Sequence, residues 1–512
     1  MKTFAAIDLG SYEIAMKIFE ISKDKGMKQI DHLRHRVELG TDTYQNGKIS
    51  NERVGELCKV LCEFAQVMKS YKVDNYKAYG TSAIRETENT SIIIEQIKLR
   101  TGIAVEVLSN SEQRFMHYKA VASKGVMFDE LMKESCAIVD IGGGSIQISL
   151  FDKASLVTTQ NLRLGILRVK DMLASLQART TNYEELLGEL IDNQLEPFRN
   201  LYLSGKCIDN IIVVDDYVWR VMKRLNNNKD IISKAEFLDF VNKYRNSSSE
   251  QIAASLGMTE ESASLFPQSA ILLKKIFAMM GAKRLWAPGV SLSDGIAYEY
   301  AERMQLIRNN HDFDEDILGC AYEMCRRYNG NIKRNALVEK VALAIYDGTR
   351  KLHGMGKRER LLLRIASILG DCGKFVSLEA SAECGYDIIM ATEMIGLSHA
   401  EREIIANIVR FNKTTFQYYK QVSSNTRLDL DSYIKVAKLT AIFRVADGIC
   451  RSYRTKLNDV KINLRGDEMI VTIDSDEDFT LEKGFFGRKS DFFEEVFSMK
   501  TIIRNKKTLK SM

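Results

Sequence analysis

The stretch AIVDIGGGS, from Ala137 to Ser145, decides the fold of this chain. It opens with a short apolar run, which is typical of a buried strand, and continues with an aspartate, three glycines and a serine. Glycines allow a tight turn whose backbone N–H groups face an anion, because no side chain blocks the approach or forbids positive φ angles. An ordinary surface turn does not need three glycines in a row. The stretch therefore predicts a phosphate-binding turn between two strands.

The same pattern occurs 132 residues earlier, in AAIDLGS from Ala5 to Ser11, where Asp8 takes the position of Asp140. Two copies predict two similar α/β halves that hold one phosphate chain from opposite sides of a cleft. The aspartates would not bind phosphate directly, because two anions repel each other. We expect them to hold Mg²⁺ or to position a water molecule.

A third candidate element lies between the two turns, in YGTSAIRETEN from Tyr79 to Asn89. Thr81 and Ser82 offer hydroxyl groups at the end of a predicted strand. Arg85 offers a planar set of donors that suits phosphate oxygens. These residues are expected to face the same cleft.

The composition limits the classes of protein to which the chain can belong. The chain has 512 residues, enough for about three or four domains, and its 45% apolar and 28% charged residues are ordinary for a folded protein. No apolar stretch reaches the ~18 residues of a membrane span, and an aspartate interrupts the N-terminus before a signal peptide could form. The nine cysteines are scattered without a CxxC pair, which indicates reduced thiols. We expect a cytoplasmic protein without a membrane partner.

Hydrophobic periodicity predicts the elements around the two turns. Predicted strands cover Thr3–Ile7, Glu13–Phe19, Tyr76–Tyr79, Val105–Leu108, Ala137–Asp140, Gln147–Phe151 and Asn210–Val214. Predicted helices cover Asn51–Tyr71, with Asn51 as its cap, and Ser269–Met280. From residue 311 to about 450 the pattern is almost continuously helical, and Val460–Ile473 alternates like strands.

Seven stretches together resemble the exopolyphosphatase and guanosine pentaphosphate phosphohydrolase (Ppx/GppA) family of the actin-like ATPase superfamily. They are AAIDLGS, RVELG (36–40), TSAIRETEN, TGIAVEVLSNSEQR (101–114), IVDIGGGS, LRLG (162–165) and SLSDGIAYEYA (291–301). The resemblance implies an α/β fold: two actin-like (ribonuclease H-like) subdomains at 1–124 and 125–305, then a mostly helical HD-like domain at 311–450. A small α+β C-terminal domain would follow at 451–512.

The resemblance also implies an activity and a set of residues. The family cleaves terminal phosphate from inorganic polyphosphate, or the 5′ γ-phosphate of guanosine pentaphosphate, with Mg²⁺ and a glutamate that activates water; its members are often dimers, so we expect a homodimer. Asp8 and Asp140 match the carboxylates on the metal side, and Arg85 matches a substrate-facing arginine. The residues that match the phosphate turns are Gly10, Ser11, Gly142, Gly143, Gly144 and Ser145.

The glutamate is the main departure from the family pattern. SNSEQR, from Ser109 to Arg114, is one residue shorter than the family's usual motif. An alignment without a gap places Gln113 at the catalytic position, where an amide cannot act as a general base. A one-residue deletion in the loop places Glu112 there instead. Because loops absorb deletions more easily than reaction centres absorb a lost carboxylate, we favour Glu112.

Further departures affect the metal and phosphate contacts. Gln147 stands where the family has a glutamate, which should weaken Mg²⁺ binding at that position. Asp215 and Asp216 replace a phosphate turn and would repel phosphate. In the helical region Gly370 and Asn412 stand where metal-binding histidines are usual, and only Asp371 remains, so the domain is interpreted as a scaffold with a degenerate metal site. The six histidines are interpreted as surface or core residues.

Two hypotheses follow. The first is an Mg²⁺-dependent phosphohydrolase in which Glu112 activates water and Asp8 and Asp140 organise the metal. The second is a sensor that binds polyphosphate or a guanosine polyphosphate but has lost turnover. Between Arg326 and Arg364, eleven Lys or Arg stand against three Asp or Glu, which indicates either a solvated helix face or a track for a polyanion. This segment lacks the interleaved aromatic residues that stack bases, which argues against nucleic acid.

Overall fold

The chain divides into two units, Met1–Asp312 and Phe313–Met512, in the computed structural model. The structure describes residues 1–177, 183–214, 218–219, 222, 231–245, 247–307, 311–451, 457–475 and 480–505. The first unit contains the predicted α/β halves, and the second contains the predicted helical region and the C-terminal strands. The finer division into four domains stays a prediction.

The first sheet is formed by the N-terminal part of the first unit. Its strands are β1 (Lys2–Leu9), β2 (Glu13–Ser22), β3 (Gly26–Arg36), β4 (Asn75–Gly80) and β5 (Val105–Val107). They lie in the order β3-β2-β1-β4-β5. The first three strands form an antiparallel meander, and β4 and β5 continue the sheet parallel to β1.

The second sheet repeats this arrangement. Its strands are β6 (Cys136–Ile141), β7 (Ile146–Asp152), β8 (Ser155–Leu162), β9 (Asn210–Val214), β10 (Ile231–Ser233) and β11 (Arg284–Trp286). They lie in the order β10-β11-β9-β6-β7-β8, with β6, β7 and β8 antiparallel and β9 and β11 parallel to β6. Only the antiparallel edge strand β10 has no counterpart in the first sheet. The prediction of two similar halves is confirmed.

Thirteen helices accompany these sheets within the described part of the first unit. They are α1 (Leu39–Asn46), α2 (Asn51–Ser70), α3 (Ser82–Glu86), α4 (Thr90–Thr101), α5 (Asn110–Ala122), α6 (Val126–Met132), α7 (Ile166–Gln177), α8 (Tyr183–Tyr202), α9 (Lys234–Tyr244), α10 (Ser249–Leu256), α11 (Glu260–Ser264), α12 (Phe266–Met280) and α13 (Leu292–Arg303).

Helix α2 shows how the sequence produces these elements. Its buried residues recur every three or four positions, so one face packs against the first sheet. The fully buried Leu61 contributes about 1.5–3 kcal/mol. The cap is Ser50, whose side chain accepts a hydrogen bond from the Arg53 N–H, and Asn51 is the first helical residue. The predicted cap was therefore wrong by one position, since the serine hydroxyl reaches the third amide of the helix.

The second unit is mostly helical and carries a small sheet. Its helices are α14 (Phe313–Arg327), α15 (Ile332–Gly348), α16 (Arg350–His353), α17 (Lys357–Leu369), α18 (Ser381–Ala391), α19 (His399–Phe411), α20 (Tyr419–Val422), α21 (Leu430–Ile449) and α22 (Thr480–Phe497), with a 3₁₀ helix at Cys372–Phe375. The strands β12 (Asp459–Arg465), β13 (Glu468–Asp474) and β14 (Lys500–Asn505) form its sheet, in that order. The helical region and the strand-like tail are both confirmed. None of the helices in the described ranges is long and apolar enough to cross a membrane.

Candidate functional site

The two glycine turns have the same backbone hydrogen bond. In the first turn, the Gly10 N–H donates to the backbone carbonyl oxygen of Glu13 at 3.0 Å. In the second turn, the Gly142 N–H donates to the backbone carbonyl oxygen of Ser145 at 3.0 Å. Asp8 and Asp140 are each the last but one residue of their strands, β1 and β6. The repeated pattern in the sequence therefore produces the same local structure twice.

The glycines are required by close approach. A Cβ on Gly10 would lie 2.7 Å from the Glu13 oxygen, and one on Gly143 would lie 3.3 Å from the Ser11 Cβ in the other turn. Neither of these glycines, nor Gly142, has a positive φ angle, so that part of the expectation was wrong. The short distance between Gly143 and Ser11 shows that the two turns meet.

A cleft opens between the turns, with a cavity volume of about 180 Å³. Its lining consists of Asp8, Gly10, Ser11, Tyr12, Glu13, Arg34, Thr81, Ser82, Gln113, His117, Asp140, Ile141, Gly142, Gly143, Val214, Val290, Ser291 and Leu292. Both aspartates, both turns and the hydroxyls of Thr81 and Ser82 thus share one cavity. Gly144, Ser145, Arg85, Glu112 and Gln147 do not line it.

A histidine that the sequence did not single out lies against one of the aspartates. His117 and Asp140 are both buried, and the His117 Nδ1 is 2.6 Å from the Asp140 Oδ2. Burial acts to lower the pKa of His117, but the carboxylates of Asp140, Asp8 and Asp294 outweigh it and the pKa is raised. His117 is thus a buried, hydrogen-bonded residue, as the interpretation of the histidines allowed, but the sequence did not show that it lines the cleft.

Asp8 and Asp140 give the cleft two carboxylates, which suit a divalent cation that also binds the oxygens of a phosphate. In the described residues no three His, Cys, Asp or Glu side chains group as a metal site. Mg²⁺ is commonly held by one or two carboxylates plus substrate phosphates, which matches Asp8 and Asp140. Gln147 lies opposite Asp140 on β7, and its buried Oε1 has no hydrogen-bond partner among the described residues. Such a buried atom without a partner is rare in folded proteins.

Glu112 does not line the cleft, and its assignment as the catalytic glutamate stays a prediction. It is the third residue of α5, and its carboxylate accepts hydrogen bonds from the Ser109 N–H at 3.0 Å and the Ser109 hydroxyl at 2.6 Å. This capping box holds the side chain at the start of the helix. Glu112 lines a different cavity of about 250 Å³, together with Tyr79 and Glu299.

Gln113 lines the cleft in its place. Consecutive residues of a helix point about 100° apart, whereas residues four apart share a face. Gln113 and His117 accordingly face the phosphate cleft, and Glu112 and Met116 face the other cavity. The alignment without a gap therefore describes the side chain in the cleft, and the position lacks a carboxylate.

Arg85 lies behind the lining rather than in it, and its role as a substrate-facing residue stays a prediction. Its Nη1 donates to the Leu108 oxygen at 2.7 Å and to the Gln113 Oε1 at 3.4 Å. Arg85 is therefore in contact with the cleft through Gln113.

Gly144 packs against the Tyr44 side chain. Its hydroxyl is 2.9 Å from the Ser11 hydroxyl and 3.1 Å from the Ser82 hydroxyl. A Cβ on Gly144 would lie 2.1 Å from the Tyr44 hydroxyl oxygen. The Arg168 guanidinium lies 4.5 Å from the centre of the Tyr44 ring, and its Nε donates to the Gly144 oxygen at 2.9 Å. Gly144 thus serves the contact between the two halves rather than the cleft.

The predicted degenerate metal site of the second unit is filled by protein groups. The Asn335 side-chain amide donates to the Asp371 carboxylate at 2.7 Å. Asn412 accepts two hydrogen bonds from Lys489, and a Cβ on Gly370 would lie 3.0 Å from the Phe443 ring. These three positions therefore make contacts with other protein groups. Asp215 and Asp216 lie outside the described residues.

The basic segment from Arg326 to Arg364 is partly neutralised within the second unit. Five of its arginines form ion pairs with carboxylates: Arg326 with Glu323, Arg334 with Asp447, Arg358 with Glu401, Arg360 with Asp347 and Arg364 with Glu339. These pairs favour the solvated-face interpretation over a polyanion track.

Comparison with known proteins agrees with this architecture. The family model described as "Ppx/GppA phosphatase family" matches residues 18–304, and the model of its domain III matches residues 320–486. A guanosine-5′-triphosphate,3′-diphosphate pyrophosphatase from Vibrio atlanticus is 21% identical over 462 residues, which cover 86% of each chain.

Two solved structures share the fold of the first part of the chain. An exopolyphosphatase from Cytophaga hutchinsonii has a TM-score of 0.52 at 20% identity and covers 59% of this chain and 98% of its own. An Aquifex aeolicus Ppx/GppA protein has a TM-score of 0.50 at 20% identity and covers 61% of this chain and 99% of its own. With the family models on both units and the repeated turn in one cleft, the chain belongs to the Ppx/GppA phosphatase family.

Proposed function

We propose that the chain hydrolyses the terminal phosphoanhydride bond of a linear phosphate chain, either inorganic polyphosphate or guanosine pentaphosphate, with Mg²⁺. One observation carries the proposal: two turns with identical hydrogen bonds meet at a cleft that also contains Asp8 and Asp140. The names of the Vibrio and Cytophaga relatives supply the two candidate substrates.

The cleft contains the groups that such a reaction uses. Backbone N–H groups of the turns and the hydroxyls of Ser11 and Ser82 suit phosphate oxygens. Family membership implies a divalent metal, and when bound at Asp8 and Asp140 it would neutralise charge on the phosphate. Phosphoryl transfer depends mainly on positioning and charge stabilisation. Gln113 can orient a water molecule by hydrogen bonding, but it cannot take the water's proton.

The test is phosphate release by the full chain from long-chain polyphosphate and from guanosine pentaphosphate, with and without Mg²⁺. We expect metal-dependent release that Asp140→Asn lowers about a hundred- to a thousandfold. Asp459→Asn, at an exposed position on β12, is the matched control and should release phosphate like the wild type. Release by Asp140→Asn at the wild-type rate would contradict the proposal.

A second candidate function is binding without turnover, as in a sensor of polyphosphate or guanosine polyphosphate. The amide of Gln113 in the cleft favours it, because the position has no general base. Tight binding of tripolyphosphate with no phosphate release from any substrate would select this alternative. The homodimer and the cytoplasmic location stay predictions.

A further inference from the structure

The orientation of the Gln113 amide follows from its neighbour. Arg85 places its Nη1 3.4 Å from the Gln113 Oε1. A guanidinium has only donors, so the atom of Gln113 that faces Arg85 must be the carbonyl oxygen. The Arg85 group is itself fixed by its 2.7 Å hydrogen bond to the Leu108 oxygen. The NH₂ group of Gln113 is therefore on the side of the amide away from Arg85.

We propose that Gln113 is a phosphate-binding residue and that Arg85 is its positioning residue. Gln113 lines the cleft, and with its oxygen held by Arg85 its NH₂ group donates to an oxygen of the bound phosphate chain. The proposal rests on the proposed function, since it requires a phosphate chain in the cleft.

The charge of the cleft explains why a donor matters at this position. Asp8, Glu13 and Asp140 already bring three carboxylates to the cavity. A glutamate at position 113 would add a fourth and would repel the phosphate chain. The amide removes that repulsion and adds a hydrogen bond, at the cost of the group that could take a proton from water. This exchange raises affinity and lowers the rate of turnover.

Gln113→Leu and Gln113→Glu separate the two effects. Gln113→Leu removes the donor, and a hydrogen bond to a charged group is worth enough to weaken tripolyphosphate binding about tenfold. Gln113→Glu should weaken binding further and should raise the rate of phosphate release above that of the wild type. Gln66→Leu, at an exposed position on α2, is the matched control and should bind like the wild type.

Arg85→Met tests the positioning role. It should weaken binding in the wild-type background but have no further effect in Gln113→Leu, because the amide it orients is already gone. Arg85→Lys keeps a donor and should restore part of the loss. A residue that only stabilises the fold would weaken both backgrounds equally.

The measurement is calorimetric binding of tripolyphosphate to the full chain of each variant. If the wild type and Gln113→Leu bind with equal affinity, the inference is wrong while the proposed function stands. If the wild type binds no tripolyphosphate, the proposed function fails and the inference falls with it. Should Arg85→Met not fold, the pair Gln113→Leu and Gln66→Leu decides the matter alone.

Discussion

Two regions of this chain contain aspartates whose surroundings differ. In the first unit, Asp8 and Asp140 line an open cleft between two glycine turns. In the second unit, the Asp371 carboxylate accepts a hydrogen bond from Asn335, and Asp447 forms ion pairs with Arg334 and Lys489. A retained carboxylate is therefore available to a metal only where it lines an open cavity, as Asp8 and Asp140 do, and not where protein donors enclose it.

Asp447 illustrates this difference. Burial acts to raise the pKa of its carboxyl group, but the positive charges of Lys489 and Arg334 outweigh burial and lower the pKa to about 2. A divalent cation placed beside Asp447 would lie next to two groups of its own sign. At Asp447 the second unit thus balances the charge of a carboxylate with two protein cations.

The largest expected effect concerns the cleft. Asp140→Asn should lower phosphate release about a hundred- to a thousandfold, because it removes a charge that organises the transition state. Asp371→Asn should leave the rate of release unchanged. A rate assay on both variants checks this difference. Equal losses of activity would show that the cleft and the second unit do not differ in their importance for catalysis.

The next effect is on stability. Asp447→Asn leaves Arg334 and Lys489 without their shared counter-charge, and should lower the free energy of unfolding by about 3 kcal/mol. Guanidinium unfolding of the full chain measures it, with Asp459→Asn as the exposed control. A loss below about 0.5 kcal/mol would show that the ion pairs contribute little.

The stability that Asp447 contributes should also depend on pH. Because its folded pKa lies below the ordinary value of about 3.9, the contribution is complete above that pH and is lost as the pH falls towards 2. The free energies of unfolding of the wild type and Asp447→Asn should converge by about 2 kcal/mol over this range. Parallel curves from pH 5 to pH 2 would contradict the assignment.

The smallest effect tests the backbone side of the cleft. A Cβ on Gly165 would lie 2.2 Å from the carbonyl carbon of Gly144 and 2.3 Å from the Gly143 oxygen. Gly165→Ala should therefore displace the second turn and weaken tripolyphosphate binding about tenfold, although it adds nothing to the cleft itself. Gly55→Ala, in the second turn of α2 with no atom within 4 Å of the added Cβ, is the matched control. Unchanged binding in Gly165→Ala would show that the turn tolerates displacement.

The sequence was sufficient for the features that depend on local patterns. The repeated turn predicted two equivalent halves, and the sheet orders and the two equivalent hydrogen bonds agree with it. The sequence also predicted that Asp8 and Asp140 face one cleft, because each lies near the carboxyl end of an equivalent strand.

Which side chains line the cleft could be predicted from the sequence only in part. The pattern S-x-x-E at Ser109 and Glu112 is a capping signal, and weighing it would have moved the cleft position to Gln113. The spacing of four between Gln113 and His117 is a signal for a shared helix face. The contact of Arg85 with Gln113 and the pairing of Asp447 with Arg334 join residues 28 and 113 positions apart, and only the fold reveals them.

The most direct measurement counts the metal ions bound by the full chain. Mn²⁺ substitutes for Mg²⁺ at oxygen ligands and can be counted by electron paramagnetic resonance in the presence of tripolyphosphate. If metal binding belongs to the cleft, Asp140→Asn should lose the protein-bound ion and Asp371→Asn should keep it. Loss of the ion in Asp371→Asn and retention in Asp140→Asn would show that the second unit, and not the cleft, holds the metal.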